Sequence, residues 1–277
     1  MSERVFTYGI WGAAVVVSAV FLCLLGDLIW QGAAQLSWSF LVSEPMSAGR
    51  VGGIAPVLVS TLLILAVALA AAIPLGLCAA VWLAEYTRRG GAFGHGIRLS
   101  LDVLAGVPSI VFGLFGYAFF CVFLGLGFSI LSGGLTLACM VLPIFIRTSE
   151  TGLAAVTDDW RHGAAALGMT RASALWHILL PAAAPAIAAG LMLGIGRATA
   201  ETAALIFTSG YVDRMPESLS DSGRALAVHI YDLSMNVTGG DGAAYASALV
   251  LIALIVLINS GALALSDRWL TRRLVTA

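Results

Sequence analysis

The sequence has no lysine. All 14 basic residues among its 277 are arginine, which excludes the lysine of a phosphate-binding P-loop, a Schiff-base lysine and a lysine general base. ATP hydrolysis by the P-loop route is therefore not in this chain. Charge of either sign is scarce: 10% of residues are charged and 60% hydrophobic, against roughly 25% and 45–50% in ordinary soluble domains. One water-soluble core cannot absorb that excess, so the chain belongs in a bilayer. A net charge of −1 removes any bulk electrostatic basis for binding nucleic acid. Cysteine is confined to Cys23, Cys78, Cys121 and Cys139, all inside apolar runs, with no C-x-x-C pair and no histidine at ligand spacing. They read as small buried hydrophobes, and no metal site is expected.

What is abundant is uninterrupted apolar sequence. A spanning helix needs about 20 apolar residues, because the hydrocarbon core is roughly 30 Å thick and each residue rises about 1.5 Å. Residues 5–26 make one span and 51–84 a second. The run 103–146 holds 44 residues without a charge, too long for one helix, and Gly125, Gly127, Gly133 and Gly134 offer a turn. It reads as a hairpin of two spans. Residues 182–207 give a fifth span despite Arg197 and Glu201, and 243–265 a sixth. The expected fold is all-α: a polytopic membrane protein with six transmembrane helices. Residues 1–50 hold the first helix and first outer segment, 51–265 a five-helix core, and 266–277 a tail. A cleavable signal peptide is the rival for the first span, since Arg4 precedes it and Ala33 and Ala34 follow. The 22-residue run exceeds a signal core of about 7–15 residues and favours a retained helix.

Short cytoplasmic loops retain positive charge. With both termini inside, Arg4, Arg88, Arg89, Arg98, Arg147, Arg161, Arg171, Arg268, Arg272 and Arg273 face the cytoplasm, against Arg50, Arg214 and Arg224 outside. Two connections are then conspicuous. The outer one, 208–242, carries Asp213, Glu217, Asp221, Asp232 and Asp241, and its Leu226, His229, Ile230 and Leu233 recur at helical spacing. It reads as an amphipathic helix that either caps the bundle in the lipid interface or docks an external protein. The inner one, 147–181, is unusually long for a link between membrane helices. There Thr157 and Asp158 offer an N-cap, residues 160–167 can form two helical turns, Gly168 can end them in the left-handed conformation, and Thr170 can cap a second helix. The result is a compact knob suited to a groove on another protein.

The knob sequence RHGAAALGMTRASALWHILLPAAAPAIAAG resembles the cytoplasmic loop of type I, MetI-like ABC-importer permeases, an E-A-A-x-x-x-G pattern followed by I-x-L-P. Ala164, Gly168, Ile178, Leu180 and Pro181 match, while His162 and Gly163 stand where the pattern has Glu and its first Ala. Three further stretches, SFLVSEPMSAGRVGGIAP, IPLGLCAAVWLAEY and LAGVPSIVFGLFG, together with GIGRATAETAAL, narrow the resemblance to the A-type permeases of phosphate-specific importers. In that family the inner loop docks on a separate ATPase and transmits its closure. The resemblance thus implies ATPase coupling through Trp160, Ala164, Gly168, Ile178, Leu180 and Pro181. It also implies a second homologous permease, two copies of an ATPase that uses ATP and Mg, and a periplasmic or lipid-anchored phosphate-binding protein. The expected location is the bacterial inner membrane, in contact with lipid and with no nucleic acid.

Arg197 is the most informative residue. A charge at the centre of a spanning helix costs about 2.5–3.5 kcal/mol on insertion scales, so it normally faces the protein interior or a water-filled path. Glu201 lies four residues on, a spacing that places both side chains on one helix face, close enough to pair. Two readings are open: a mutually neutralising pair that locks the helix into the bundle, or an anion site in which the planar Arg197 fork meets phosphate and Glu201 holds it between substrates. Ser109, after Pro108 in the permease-like motif, is a further pathway candidate. Pro74, Pro108 and Pro143 can bend their helices. A membrane enzyme would need a reactive serine with a facing histidine, or clustered metal ligands, and neither pattern is present. An ion-coupled carrier has less use for the inner knob, and the nearer alternative is a type I permease for another oxyanion or small solute.

Overall fold

The computed structural model describes residues 2–87 and 91–274, with side chains described from 6 to 264. Helix α1 (Ser2–Ala33) is followed by a short α2 (Trp38–Val42) and two paired two-residue strands, Pro45–Met46 and Val51–Gly52. Helix α3 (Ala55–Val81) starts with proline in its first turn and ends in a π-helical turn, Trp82–Tyr86. Next come α4 (Ala92–Ala105) and α5 (Ser109–Gly116), the latter extended by a π-helical stretch, Tyr117–Phe123. Helix α6 (Ile130–Ala155) leads to the inner knob, made of α7 (Asp158–Ala166) and α8 (Arg171–Ala174). Helices α9 (Leu180–Thr199), α10 (Ala203–Ile206), α11 (Leu226–Met235) and α12 (Asp241–Leu274) complete the chain.

Among the described residues, five helical segments are long and apolar enough to cross a membrane: Phe6–Ala33, Ala55–Tyr86, Ile130–Ala155, Arg171–Thr199 and Asp241–Ala264. A sixth crossing is possible only as a broken one, because Ala92–Ala105 and Ser109–Phe123 meet at 100°. The expected hairpin over 103–146 forms, but its first arm is not a straight span of its own. Its first arm, α5 with its π-helical extension, has 8 and 7 residues, about 22 Å at helical rise and short of a bilayer. Pro108, lacking an N–H and biasing Val107 away from helix, makes the break. The hairpin turn uses Gly125 and Gly127, at φ +69° and +61°. Gly133 and Gly134 instead lie inside α6, against Ser209 and Val67.

The core is built by α3, α6 and α9. Ile64, Leu65 and Ala68 of α3 meet Leu137, Met140, Val141 and Phe145 of α6 and Ile195 and Ala198 of α9, all buried. Helix α1 packs along α12, and its apolar window is otherwise uncovered, as expected of a surface that lipid solvates. Cys121 is buried, but Cys23 and Cys78 are exposed on the outside of the bundle, so the expectation of four buried cysteines fails for these two. In a bilayer, burial is no longer the only apolar surroundings on offer.

The inner connection is shorter than the charge pattern implies. Arg147 and Glu150 lie within α6, where Arg147 pairs with Asp102 of α4 at 2.8 Å and with Glu150 at 2.6 Å, and Arg98 of α4 bonds Glu150 from the other side. With its charges matched, α6 runs past them to Ala155. Arg98 likewise belongs to a helix rather than a loop. Of the other arginines placed on the cytoplasmic side, Arg88 and Arg89 lie outside the described residues, and the side chains of Arg4, Arg268, Arg272 and Arg273 outside the described side chains. The boundary expected at 265 falls inside α12, after its apolar stretch Asp241–Ala264.

Candidate functional site

Helix α9 stops at Thr199. Ala200, at φ −88° and ψ 0°, takes the chain out of helix. Residues 200–202 then turn it into α10, so the fifth span forms as Arg171–Thr199 rather than 182–207, and Arg197 lies near its end instead of at its centre. Arg197 sits in the last turn of α9, where a cation is favoured against the exposed carbonyls by about 0.3–1 kcal/mol. Its neighbours Ile195 and Ala198 enter the core, while Arg197 itself is half-buried.

The break separates Arg197 from Glu201. The expected pairing required both on one continuous helical face, and it does not form. Glu201, buried, instead accepts a hydrogen bond from the Ala204 amide at 3.2 Å, one of the orphan donors that open a helix. Arg197 is left with no hydrogen bond or ion pair among the described residues.

This break is packed against the Pro108 break. A Cβ on Gly113 of α5 would lie 2.9 Å from Ala204 Cα, so only glycine admits α10 so close. Ser109, half-buried, opens α5 and makes no hydrogen bond to Arg197 or Glu201. Two interrupted helices thus meet next to an arginine without an acidic partner, the kind of place where irregular backbone lines a path through a membrane protein.

The inner knob forms as its residues imply. Gly168 adopts φ +72°, and the Met169 amide donates to the Ala164 carbonyl at 3.0 Å, closing α7. Thr170 caps α8 by accepting from the Ser173 amide at 3.2 Å. Thr157 occupies the N-cap position of α7, but its side chain makes no capping bond. Trp160, 57% exposed, and Leu167, 81% exposed, stand out from the surface. Trp160, Ala164 and Ile178 line one open groove of about 530 Å³. Leu180 is instead packed inward with Leu153, Leu175 and Leu179, and Pro181 lies in the first turn of α9. The six residues expected to couple are therefore divided between a surface groove, a turn, an inner packing cluster and the first turn of α9.

Arg161, which the sequence marks only as a topological charge, ties the knob down. Its guanidinium donates to Glu85 Oε1 at 2.6 Å and Oε2 at 3.2 Å, to the Leu153 carbonyl at 3.0 Å and to the Val156 carbonyl at 2.6 Å. The Glu85 bonds raise its pKa above the ordinary arginine range, against the opposing effect of burial. The signal was available: in a chain with so few charges, an acid at the end of one span and a base in the following inner loop are natural partners.

The outer segment differs from the expected surface helix. Leu226, Val228, His229 and Leu233 are buried, and the Leu226 amide donates to Thr61 of α3 at 2.8 Å, so α11 is inserted into the bundle end rather than lying over it. Arg224 reaches Asp232 at 3.3 Å and Asp213 at 3.7 Å and faces His229 Nδ1 at 3.4 Å. Matched charge lets this polar cluster sit where the spacing of apolar residues indicates only a face.

Membrane-length helices, two of them interrupted beside a half-buried arginine, with a helical knob on the connection between α6 and α9, are the architecture of a multi-pass membrane transport component. A family model described as "Binding-protein-dependent transport system inner membrane component" matches residues 72–272. The chain belongs to that family, and so to the inner membrane. It is 30% identical to a probable ABC transporter permease protein, YqgI, of Bacillus subtilis over 93% of this chain and 90% of that protein. It is also 30% identical to phosphate transport system permease protein PstA 2 of Mycobacterium bovis, over 94% and 85% of the two chains. Among solved structures, a bacterial ABC transporter involved in the import of the acidic polysaccharide alginate superposes with a TM-score of 0.60 at 14% identity, covering 94% of this chain and 98% of that one. At that identity the likeness concerns the fold alone.

Proposed function

We propose that this chain is the permease subunit of an ATP-driven phosphate importer and forms half of its translocation path. The observation that carries the substrate is Arg197: a half-buried arginine at a helix break, without an acidic partner among the described residues. An unmatched guanidinium is costly to keep in a membrane and demands a counter-charge, and its donor fork fits the oxygens of a phosphate oxyanion in two parallel bonds. The similarity to a PstA protein supports the same choice. Ser109, on the adjoining break, lines the path in this reading, and Glu201 shapes it by holding α10 rather than by pairing with Arg197.

The core 51–265 then works against a second homologous permease, with both termini in the cytoplasm. Two copies of a separate ATPase bind ATP and Mg, and the groove around Trp160, Ala164 and Ile178 seats one of them. A periplasmic or lipid-anchored phosphate-binding protein delivers substrate to the outer face around 208–242. ATP-driven closure reaches the membrane helices through α7, and access alternates between the two sides.

Uptake of labelled phosphate into vesicles holding the assembled transporter tests this reading. Arg197→Gln is expected to abolish uptake while leaving assembly normal, and sulfate is not expected to compete. Uptake that survives the substitution overturns the anion site, and a wild-type complex that moves no phosphate overturns the substrate.

A further inference from the structure

Among the described residues, Arg161 is the side chain whose hydrogen bonds tie helix α7 to the ends of α6 and α3. Arg161 binds two unlike targets: the last carbonyls of α6, at Leu153 and Val156, and the carboxylate of Glu85 in the π-helical turn that ends α3. The first attachment is local, since α7 follows α6 in the chain. The second spans 76 residues of sequence and fixes α7 to a helix with which it has no close covalent connection. A π-helical turn is uncommon and frequent at functional sites.

The same turn is gripped from its other side. Arg98 of α4 donates to the Leu83 carbonyl at 3.1 Å while also bonding Glu150 of α6, which meets Arg147, which meets Asp102 of α4. Leu83 itself is buried, packed with Ala80 and Ile146 and against Ile97 and Leu101 of α4. A continuous set of charge-assisted contacts therefore runs from the knob, through Trp82–Tyr86, to α4, the helix whose 100° junction with α5 makes the Pro108 break. Charge-assisted bonds of this kind are short, directional and roughly twice as strong as neutral ones, which suits a rigid link.

We infer that Glu85 is a positioning residue through which movement of α7 reaches the end of α3 and, by way of Arg98, the α4–α5 break. The inference rests on the reading of α7 as the ATPase-coupling helix. Glu85 touches no substrate in this scheme. Its function is to make α3 follow α7, where the α6 carbonyls alone would only keep α7 seated.

Glu85→Ala separates the two attachments. Arg161 keeps the Leu153 and Val156 carbonyls and Asp158, so the knob stays folded while the Arg161–Glu85 contact with α3 is removed. Glu85→Gln keeps an acceptor for the guanidinium and removes only the charge. Two readouts apply to the assembled transporter in vesicles: phosphate imported per ATP hydrolysed, and the ATP-dependent change in maleimide labelling of Ser100→Cys on the exposed face of α4, with the four native cysteines replaced by alanine.

For Glu85→Ala, phosphate per ATP is expected to fall about 2- to 30-fold, the range that coupling energies along such a network produce, and the ATP response of the α4 label to be lost. Glu85→Gln is expected to retain more of both. An unchanged ratio with an unchanged labelling response overturns the inference, as does loss of assembled complex in both variants, which would make Glu85 a folding residue only. A wild-type complex that hydrolyses ATP but moves no phosphate would sink the substrate reading alone, and the labelling arm would still decide the role of Glu85.

Discussion

Glu201 turns its carboxylate onto the Ala204 amide, 3.2 Å away, and away from the arginine one would expect it to neutralise. Arg197 and Glu201 therefore do different work. Replacing them should give different phenotypes. Glu201→Gln keeps an oxygen acceptor for the amide and is expected to leave phosphate uptake within a few-fold of wild type. Glu201→Ala removes the acceptor and should lower the melting temperature, with a loss of about 1 kcal/mol, the usual worth of a side chain that caps a helix start. Arg197→Gln, in contrast, should stop transport without a comparable thermal shift. Equal losses of uptake in Arg197→Gln and Glu201→Gln would restore the functional pair.

The outer polar cluster predicts a pH dependence. Burial first, then the positive charge of Arg224, push His229 down to about 4, against the opposing pull of Asp213 and Asp232. Nδ1 faces a guanidinium donor, so protonating it would set two donors face to face. An unfolded His229 titrates at about 6.5, and between these values the unfolded chain binds a proton that the folded chain does not. Stability contributed by neutral His229 is thus complete above about pH 6.5 and declines as the pH falls toward 4, by up to about 3 kcal/mol. Thermal melting in detergent across that interval should show the decline in wild type and a flatter profile in His229→Gln. Identical profiles would refute the assignment.

Gly168 ends α7 at φ +72°, where an L side chain costs about 1–2 kcal/mol. Gly168→Ala should therefore loosen the knob without touching the membrane core. The expected result is faster protease cleavage in the segment between α7 and α8, with lower phosphate import and a nearly unchanged melting temperature of the bundle. A variant cleaved no faster than wild type would show that the turn tolerates a side chain.

Much of the fold was legible because bilayer physics leaves few choices. Long apolar runs had to be helices, and the Gly168 and Thr170 signals placed the knob. The interruptions were harder to read. Arg197 and Glu201 sit at helical spacing, and nothing local says that Ala200 leaves the helix. Its departure depends on α10 finding a seat on α5, a contact between residues almost a hundred positions apart. The same limit hid the charge network at the inner end. Arg98, Arg147 and Arg161 look like loop charges until Glu150, Asp102 and Glu85 are brought to them by packing. His229 was placed on an amphipathic face, but only the matched charges of Arg224, Asp213 and Asp232 explain why that face is buried.

Gly113 tests whether the two helix breaks act together. Its Cα hydrogen occupies the place where a Cβ would stand 2.9 Å from Ala204 Cα and 3.2 Å from the Phe207 ring. The nearest obstacle is backbone, so it cannot swing aside as a side-chain tip could. Gly113→Ala must push α10 away from α5 or tilt α5 about the Pro108 break, and overpacking of this kind costs about 1–3 kcal/mol. Displacing α10 also moves Glu201, which is bonded to its first turn, and with it the chain leaving Arg197. A loss of phosphate uptake well beyond what the drop in melting temperature and the amount of assembled complex explain is therefore expected. Uptake that falls only in proportion to assembled complex would separate Arg197 from the break and confine Gly113 to packing.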